Sequence, residues 1–256
     1  MIRPRKSLLD VNLKEVWKYR DLITLFVRRD WVSQYKQTIL GPLWYIINPA
    51  LTTIVYTFIF GRVAQLSTDG LPHTLFYMSG VVVWNYFSTC ITRTSDTFRA
   101  NANIFGKVYF PRLVTPVSAV ISSLLQLAVQ LLLLVGVMVY FYLARGQSLD
   151  INGYILLLPV LIGVMALMGL GFGIIISSLT TKYRDLSNLV SFGMRLWMYA
   201  TPVIYPLSEI PAQYQNLVAI NPMVAVVETF RYGLLGAGTI RPGYIVYTLV
   251  FTLAVL

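Results

Sequence analysis

Long apolar runs without charge, separated by short clusters of Lys and Arg, constrain this chain more than any other feature. The run 37–61 holds no Asp, Glu, Lys or Arg, and about 20 apolar residues are enough to cross a hydrocarbon core as a helix. Inside lipid every backbone amide must find a partner within its own segment, so such runs predict helices. Further runs lie at 75–92, within 113–144, within 151–181, at 186–205 with Arg195 inside, and after Arg241. The expected fold is an all-α membrane protein of six transmembrane helices. Composition agrees, with 57% hydrophobic and 12% charged residues in 256, against about 25% charged in a soluble domain.

The same charges orient the chain. Nine Lys or Arg precede residue 37, four lie in 93–112, and Lys182 and Arg184 add two, which places 15 on one face. The other face has Arg62, Arg145, Arg231 and Arg241. By the positive-inside rule both termini are cytoplasmic, and the net charge of +10 reads as topology, not as a nucleic-acid surface. Residues 1–20 are too charged for a signal peptide. Residues 1–36 read instead as an amphipathic segment at the membrane interface, with Trp17 and Trp31 near the headgroups. A single transmembrane domain is expected over 37–256.

Between the fifth and sixth runs, 206–241 breaks the pattern. Pro211 and the pair Asn221-Pro222 cut an apolar stretch into pieces of about ten residues, each rising about 15 Å, half a hydrocarbon core. Asn221 reads as an N-cap, Pro222 as the first helical residue, and Gly236 as the stop. The expected shape is a re-entrant helical hairpin on the outer face, with a loop lying on that surface as the other reading. The last run, 242–256, gives only about 22 Å of helix, so the sixth helix is expected to be truncated.

The residues that carry chemistry are few. Acidic residues are scattered, His73 is alone, and no phosphate-binding GxxxxGK[ST] occurs. Catalysis, a metal site and a nucleotide site in this chain are therefore not expected. Cys90, the single cysteine, excludes an internal disulfide. Polar residues do recur at helical spacing: Tyr45, Asn48, Thr52 and Tyr56 in the first run; Thr115, Ser118, Ser122, Gln126 and Gln130 in the third; Asn188, Ser191, Arg195 and Tyr199 in the fifth. Two readings fit each stripe: hydrogen-bonded glue between helices, or a hydrated path for a polar substrate. Arg195 near mid-span costs at least about 2.5–3.5 kcal/mol on insertion scales, so it must face water, an acid or an anion. Glu228 is a candidate partner. Gly169, Gly173 and Ser177 form a ladder of small residues suited to close helix packing. The loop 93–112 is long, and a short helix within 95–107 would present Asn101, Asn103, Ile104, Phe105 and Lys107 as a docking surface.

Five blocks carry a family resemblance: "YKQTILGPLWYIINPALTTIVYTFIFG" (35–61), "SGVVVWNYFS" (79–88), "NIFGKVYFPRLVTPVSAV" (103–120), "KYRDLSNLVSFGMRLWMYATPVIYPLSEIP" (182–211) and "INPMVAVVETFRYGLL" (220–235). In this order they resemble the permease subunit of ABC-2 type polysaccharide exporters, the O-antigen and teichoic-acid transporters. The resemblance implies a homodimer in the bacterial inner membrane, with one ATPase subunit docked under each permease and ATP and Mg held there. It implies a cargo of polysaccharide on undecaprenyl diphosphate, moved through a channel between the permeases. It makes 93–112 the coupling loop, the basic start an interface helix, and Pro211, Asn221, Pro222 and Glu228 parts of an outer gate. Arg195 stands where the family pattern has glutamine.

A long glycan needs a wet tunnel, while its lipid tail can stay in the bilayer. Arg28, Arg29, Lys36 and Arg112 are the cations expected to hold the diphosphate through charge-assisted hydrogen bonds, and the three polar stripes are expected to line the tunnel. Alternatives are an ABC-2 exporter of a small lipid or drug and, from another class, a polyprenyl-phosphate glycosyltransferase, which would need the absent carboxylate or metal site.

Overall fold

A computed structural model describes residues 13–36, 38–146, 151–180 and 185–256, and among these the regular structure is helical throughout. Of the cations used above for orientation, Arg3, Arg5, Lys6, Lys182 and Arg184 lie outside the described residues. Helices α1 (Leu13–Lys18) and α2 (Arg20–Tyr35) precede α3 (Trp44–Tyr56), which continues through a π-helical turn, Thr57–Val63. Next come α4 (His73–Ala100), the one-turn α5 (Ala102–Phe105), α6 (Val114–Arg145) and α7 (Leu158–Thr180). The chain ends with α8 (Leu186–Tyr199), α9 (Ala212–Val218), α10 (Pro222–Leu235) and α11 (Pro242–Val255).

Three helical stretches, Gly41–Val63, Val114–Arg145 and Gly153–Thr180, are long and apolar enough to cross a membrane, or four if α9 and α10 count as one bent span. The other expected spans differ from their sequence limits. The second run, 75–92, lies within α4, which carries on past Arg93 to Ala100 because nothing there breaks it and Arg99 pairs with Asp96 at 2.7 Å, one helical turn apart. The loop 93–112 therefore begins as helix, and the short helix foreseen within 95–107 shrinks to α5. The fifth run stops at Tyr199 instead of Tyr205, since Pro202 lacks an amide hydrogen and disfavours helix at Thr201. At the bend, α9 and α10 meet at 109°. Asn221 accepts a hydrogen bond from the Met223 amide and caps α10, Pro222 is its first residue, and Gly236 ends it at φ 74°.

Helix α4 is the centre of the bundle. Its Phe76, Tyr77, Val82, Val83, Phe87 and Ile91 are fully buried against Met165 and Met168 of α7 and Met223, Val226 and Phe230 of α10, among others. A smaller core joins Val16, Phe26, Phe110 and Val114, with Ile104 and Phe105 packed on it. The close approach of α4 and α7 depends on missing side chains. A Cβ on Gly169 would overlap Cys90, and one on Gly173 would overlap Thr94. Thr180 ties the far end by donating to the Ser95 carbonyl at 3.0 Å. The small-residue ladder is thus packing within one chain.

Gly173→Ala forces Thr94 and the Ile91 carbonyl aside, and overpacking of this kind costs about 1–3 kcal/mol. Gly163→Ala in the same helix meets open space. Thermal unfolding in detergent is expected to drop for the first and hold for the second; equal melting temperatures would mean that the helices part without cost.

Candidate functional site

The packing on α7 fixes what the rest of α4 faces. Cys90 and Thr94 point at the α7 glycines, and residues two positions away lie about 160–200° round the helix. Ser88 and Thr92 therefore face the opposite way, in line with Trp84 and Asp96 at four-residue steps. This ladder walls two cavities. The first, about 350 Å³, lies between α2, α4 and α6 and is lined by Arg29, Asp30, Arg93, Asp96, Asn101, Thr115 and Ser118 among others. The second, about 210 Å³, lies between α4 and α8 and is lined by Trp84, Ser88, Ser191, Met194, Arg195 and Met198. Thr92 lines both, so the two cavities are neighbours on one largely polar face of α4, called the polar track below.

The structure sorts the foreseen stripes. On α3, Asn48 is exposed, Tyr45 stacks on Trp31 with ring centres 5.7 Å apart, Thr52 bonds its own helix, and the Tyr56 hydroxyl reaches Met198 of α8. On α6, Thr115 and Ser118 line the larger cavity. Further along, Ser122 and Gln130 are buried in the bundle, Gln126 is half-buried, and this part of the stripe lines neither cavity. On α8, Ser191, Arg195 and Tyr199 are exposed, beside an apolar ridge of Leu189, Phe192 and Leu196. The wall supplied by α4 was not among the stripes foreseen, although Trp84, Ser88, Thr92 and Asp96 carry the same four-residue signal.

The four foreseen anion-binding cations do not share one cavity. Arg29 lines the larger, where it pairs with Asp30 at 2.7 Å and donates to Asn101 at 3.0 Å. Arg112 lines a separate cavity of about 320 Å³ with Val16, Tyr109 and Phe110. Arg28 and Lys36 are exposed outside both, and Arg93 is the second cation beside Arg29. The foreseen docking set also divides. Asn101 is buried toward Arg29, while Ile104 and Phe105 turn inward, Phe105 lying 5.3 Å from Phe110 and 6.1 Å from Phe98 by ring centres. A one-turn helix next to an aromatic core puts its large side chains there. Asn103 and Lys107 remain outside, joined by Val108 and Tyr109, 59% and 72% exposed.

At the bent segment Asn221 also clamps α8. Its Oδ1 accepts from Trp197 Nε1 at 2.9 Å, and its Nδ2 donates to Thr201 Oγ1 at 2.8 Å. Pro211 stands at the start of α9. Glu228 does not pair with Arg195. It pairs with Arg231 one turn further along α10, at 3.3 Å, both side chains 1% exposed. Arg231 also donates to the Pro202 and Val203 carbonyls and to Ser79, and lies 3.7 Å from the centre of the Phe76 ring. The second Glu228 oxygen accepts from the Thr239 amide at 2.8 Å. Arg231, counted above with an outer loop, is thus a buried structural cation; the acid three residues before it was the available signal.

Apolar helices long enough for a membrane define a membrane protein, and between them lie cavities walled by polar side chains and arginine. The chain belongs to the ABC-2 type transporter family, whose model matches residues 21–235. It is 30% identical to the O-antigen export system permease protein RfbA of Klebsiella pneumoniae over 225 residues, 88% of this chain and 84% of that protein. A protein of the same name from Myxococcus xanthus is 30% identical over 86% of this chain and 82% of its own length. The polysialic acid transport protein KpsM of Escherichia coli is 24% identical over 80% and 76%.

Breaking the buried pair from one side leaves a charge without its partner, which costs about 3–5 kcal/mol. Arg231→Met is expected to lower the melting temperature of the detergent-solubilised protein sharply, and Arg231→Met with Glu228→Gln to recover part of the loss. A single variant as stable as the parent would contradict the fastening role.

Proposed function

We propose that this chain is the membrane-spanning subunit of an ATP-driven polysaccharide exporter. It works as a homodimer with two separate ATP-binding cassette subunits, which hold ATP and Mg. The cargo is a glycan, of O-antigen or teichoic-acid type, linked to undecaprenyl diphosphate and moved outward across the bacterial inner membrane. The observation that carries this reading is the polar track along α4, in a chain whose relatives are named for O-antigen export and polysialic acid transport.

A hydrophilic polymer needs water-lined walls, and the hydroxyls, Trp84 and Arg195 of the track supply them in one subunit. Apolar residues of α8 and of α3, such as Leu51 and Ile54, are exposed on helices that contact α4. A second copy covering them would close the groove into a channel. In this reading α3, α4, α6, α7, α8 and α11 are the six spans and the N-terminus is cytoplasmic. The bent α9–α10 pair is then the outer gate, with Pro211, Asn221, Pro222 and Glu228 holding its shape.

The diphosphate meets the protein at the cytoplasmic mouth of the track. Arg29 and Arg93 stand in the larger cavity, with Arg28 and Lys36 exposed on the neighbouring end of α2 and Arg112 across the loop. The ATPase docks on the outward face of the loop, through Asn103, Lys107, Val108 and Tyr109. The inward Ile104 and Phe105 pass its motion to the α2–α6 core.

Val108→Asp with Tyr109→Asp is expected to release the ATPase on co-purification or to uncouple ATP hydrolysis from export; coupled transport in that variant would refute the docking face. Arg29→Glu with Arg93→Glu is expected to cut export more than tenfold in an assembled complex, and undiminished export would remove the diphosphate from this cavity.

A further inference from the structure

Two arginines lie deep in the helices after residue 186, and their surroundings are opposite. Arg231 has acid, carbonyl, hydroxyl and ring partners. Arg195 has none. Ion pairs among the described residues involve Arg20, Arg29, Arg99 and Arg231. Arg195 is exposed and opens on the smaller cavity. It lies nine residues beyond the start of α8 and four before its end, about 14 Å along the helix, and in the reading proposed above α8 is one of the spans, which sets Arg195 within the hydrocarbon core.

An unpaired guanidinium at that depth is unfavourable unless water or an anion meets it, and the walls around it are chemically specific. Thr92 and Ser191 direct their hydroxyl hydrogens to carbonyls of their own helices, those of Ser88 and Ser187, which leaves their oxygens to accept. The Ser88 hydroxyl makes no hydrogen bond among the described residues and can donate. Trp84 adds an aromatic wall. The cavity thus offers a planar cationic fork and a hydroxyl donor for an oxyanion, with acceptors for the alcohols of a sugar beside it.

We propose that Arg195, with Ser88, Thr92, Ser191 and Trp84, forms a subsite for an anionic group on the passing cargo, a carboxylate or a phosphate. This rests on the polysaccharide-export reading and deepens it: the cargo carries negative charge where it passes mid-membrane. Two sources share that chemistry, an acidic sugar along the polymer and the lipid diphosphate. Because each copy of a dimer would bring one Arg195, the channel would hold two such cations at the same depth.

The test uses the full-length permease with its ATPase subunit in nanodiscs and three probes: tetragalacturonate, maltotetraose and geranyl diphosphate. Calorimetric titration at low and high salt is expected to show at least one anion binding tenfold or more tighter than maltotetraose, with the preference weakened by salt. In a background with Arg29→Glu and Arg93→Glu, which removes the other proposed diphosphate cavity, Arg195→Gln is expected to abolish the preference and Arg195→Lys to keep part of it. Loss confined to tetragalacturonate identifies an acidic sugar as the source, and loss confined to geranyl diphosphate identifies the headgroup. The proposal is overturned if neither anion is preferred, or if Arg195→Gln binds both as the parent does. The export reading is tested separately by ATPase co-purification and polymer export, so its failure is distinct from failure of the subsite.

Discussion

The glycine-mediated approach of α4 to α7 sets the rest of the structure. In a membrane the gain from helix packing comes from close contact, because lipid tails are as apolar as leucine. With Gly169 and Gly173 opposite Cys90 and Thr94, α4 has one favourable rotation about its axis. That rotation turns Trp84, Ser88, Thr92 and Asp96 away from α7, and the polar track follows from it. The same seam leaves Gly171, on the far side of α7, against the Val255 carbonyl of α11. One glycine-rich helix therefore positions a helix on each of two sides, and a polar face can exist on α4 because the opposite face is so tightly held.

The second fixed point is the end of the bundle where α8 meets α10. Asn221 satisfies the first turn of α10, the Trp197 indole of α8 and the chain at Ala200 and Thr201 with one side chain. Trp197 in turn packs edge-on against Phe87 and Phe172. The bend between α9 and α10 is thus not a loose connection. Any motion of the bent segment is transmitted to α8, whose other face carries Arg195.

Local features were legible in the sequence wherever their cause was local. Asn221, Pro222 and Gly236 mark a helix by their own backbone chemistry, and the small residues of α7 can serve little purpose other than close packing. Features that depend on distant partners were not legible. Ile104 and Phe105 have the composition of an interface, but Phe26, some 80 residues earlier, helps decide that they point inward. The buried half of the α6 stripe is indistinguishable from its cavity-lining half until α4 is placed. Counting Arg231 among the loop cations missed its burial, because the positive-inside rule assumes that a charge seeks water. The α4 ladder was obscured by its composition: a tryptophan, two hydroxyls and an acid do not look like one surface until Cys90 and Thr94 fix the helix rotation.

The contrast between Arg231 and Arg195 separates fastening from handling. Removing a guanidinium from water is tolerable when its donors are taken up and a carboxylate lies beside it, and Arg231 meets both conditions within a few ångströms. Such a group cannot also bind a passing solute, since every bond to the solute would first break one to the protein. Arg195 has no bonds to break among the described residues. It can exchange water for an oxyanion without disturbing the fold, and its neighbours Ser88 and Thr92 belong to the helix that α7 holds still. A cation on one helix opposite hydroxyls on another suits a site that must grip and release in each cycle, because a small displacement of either helix would change the distance between them.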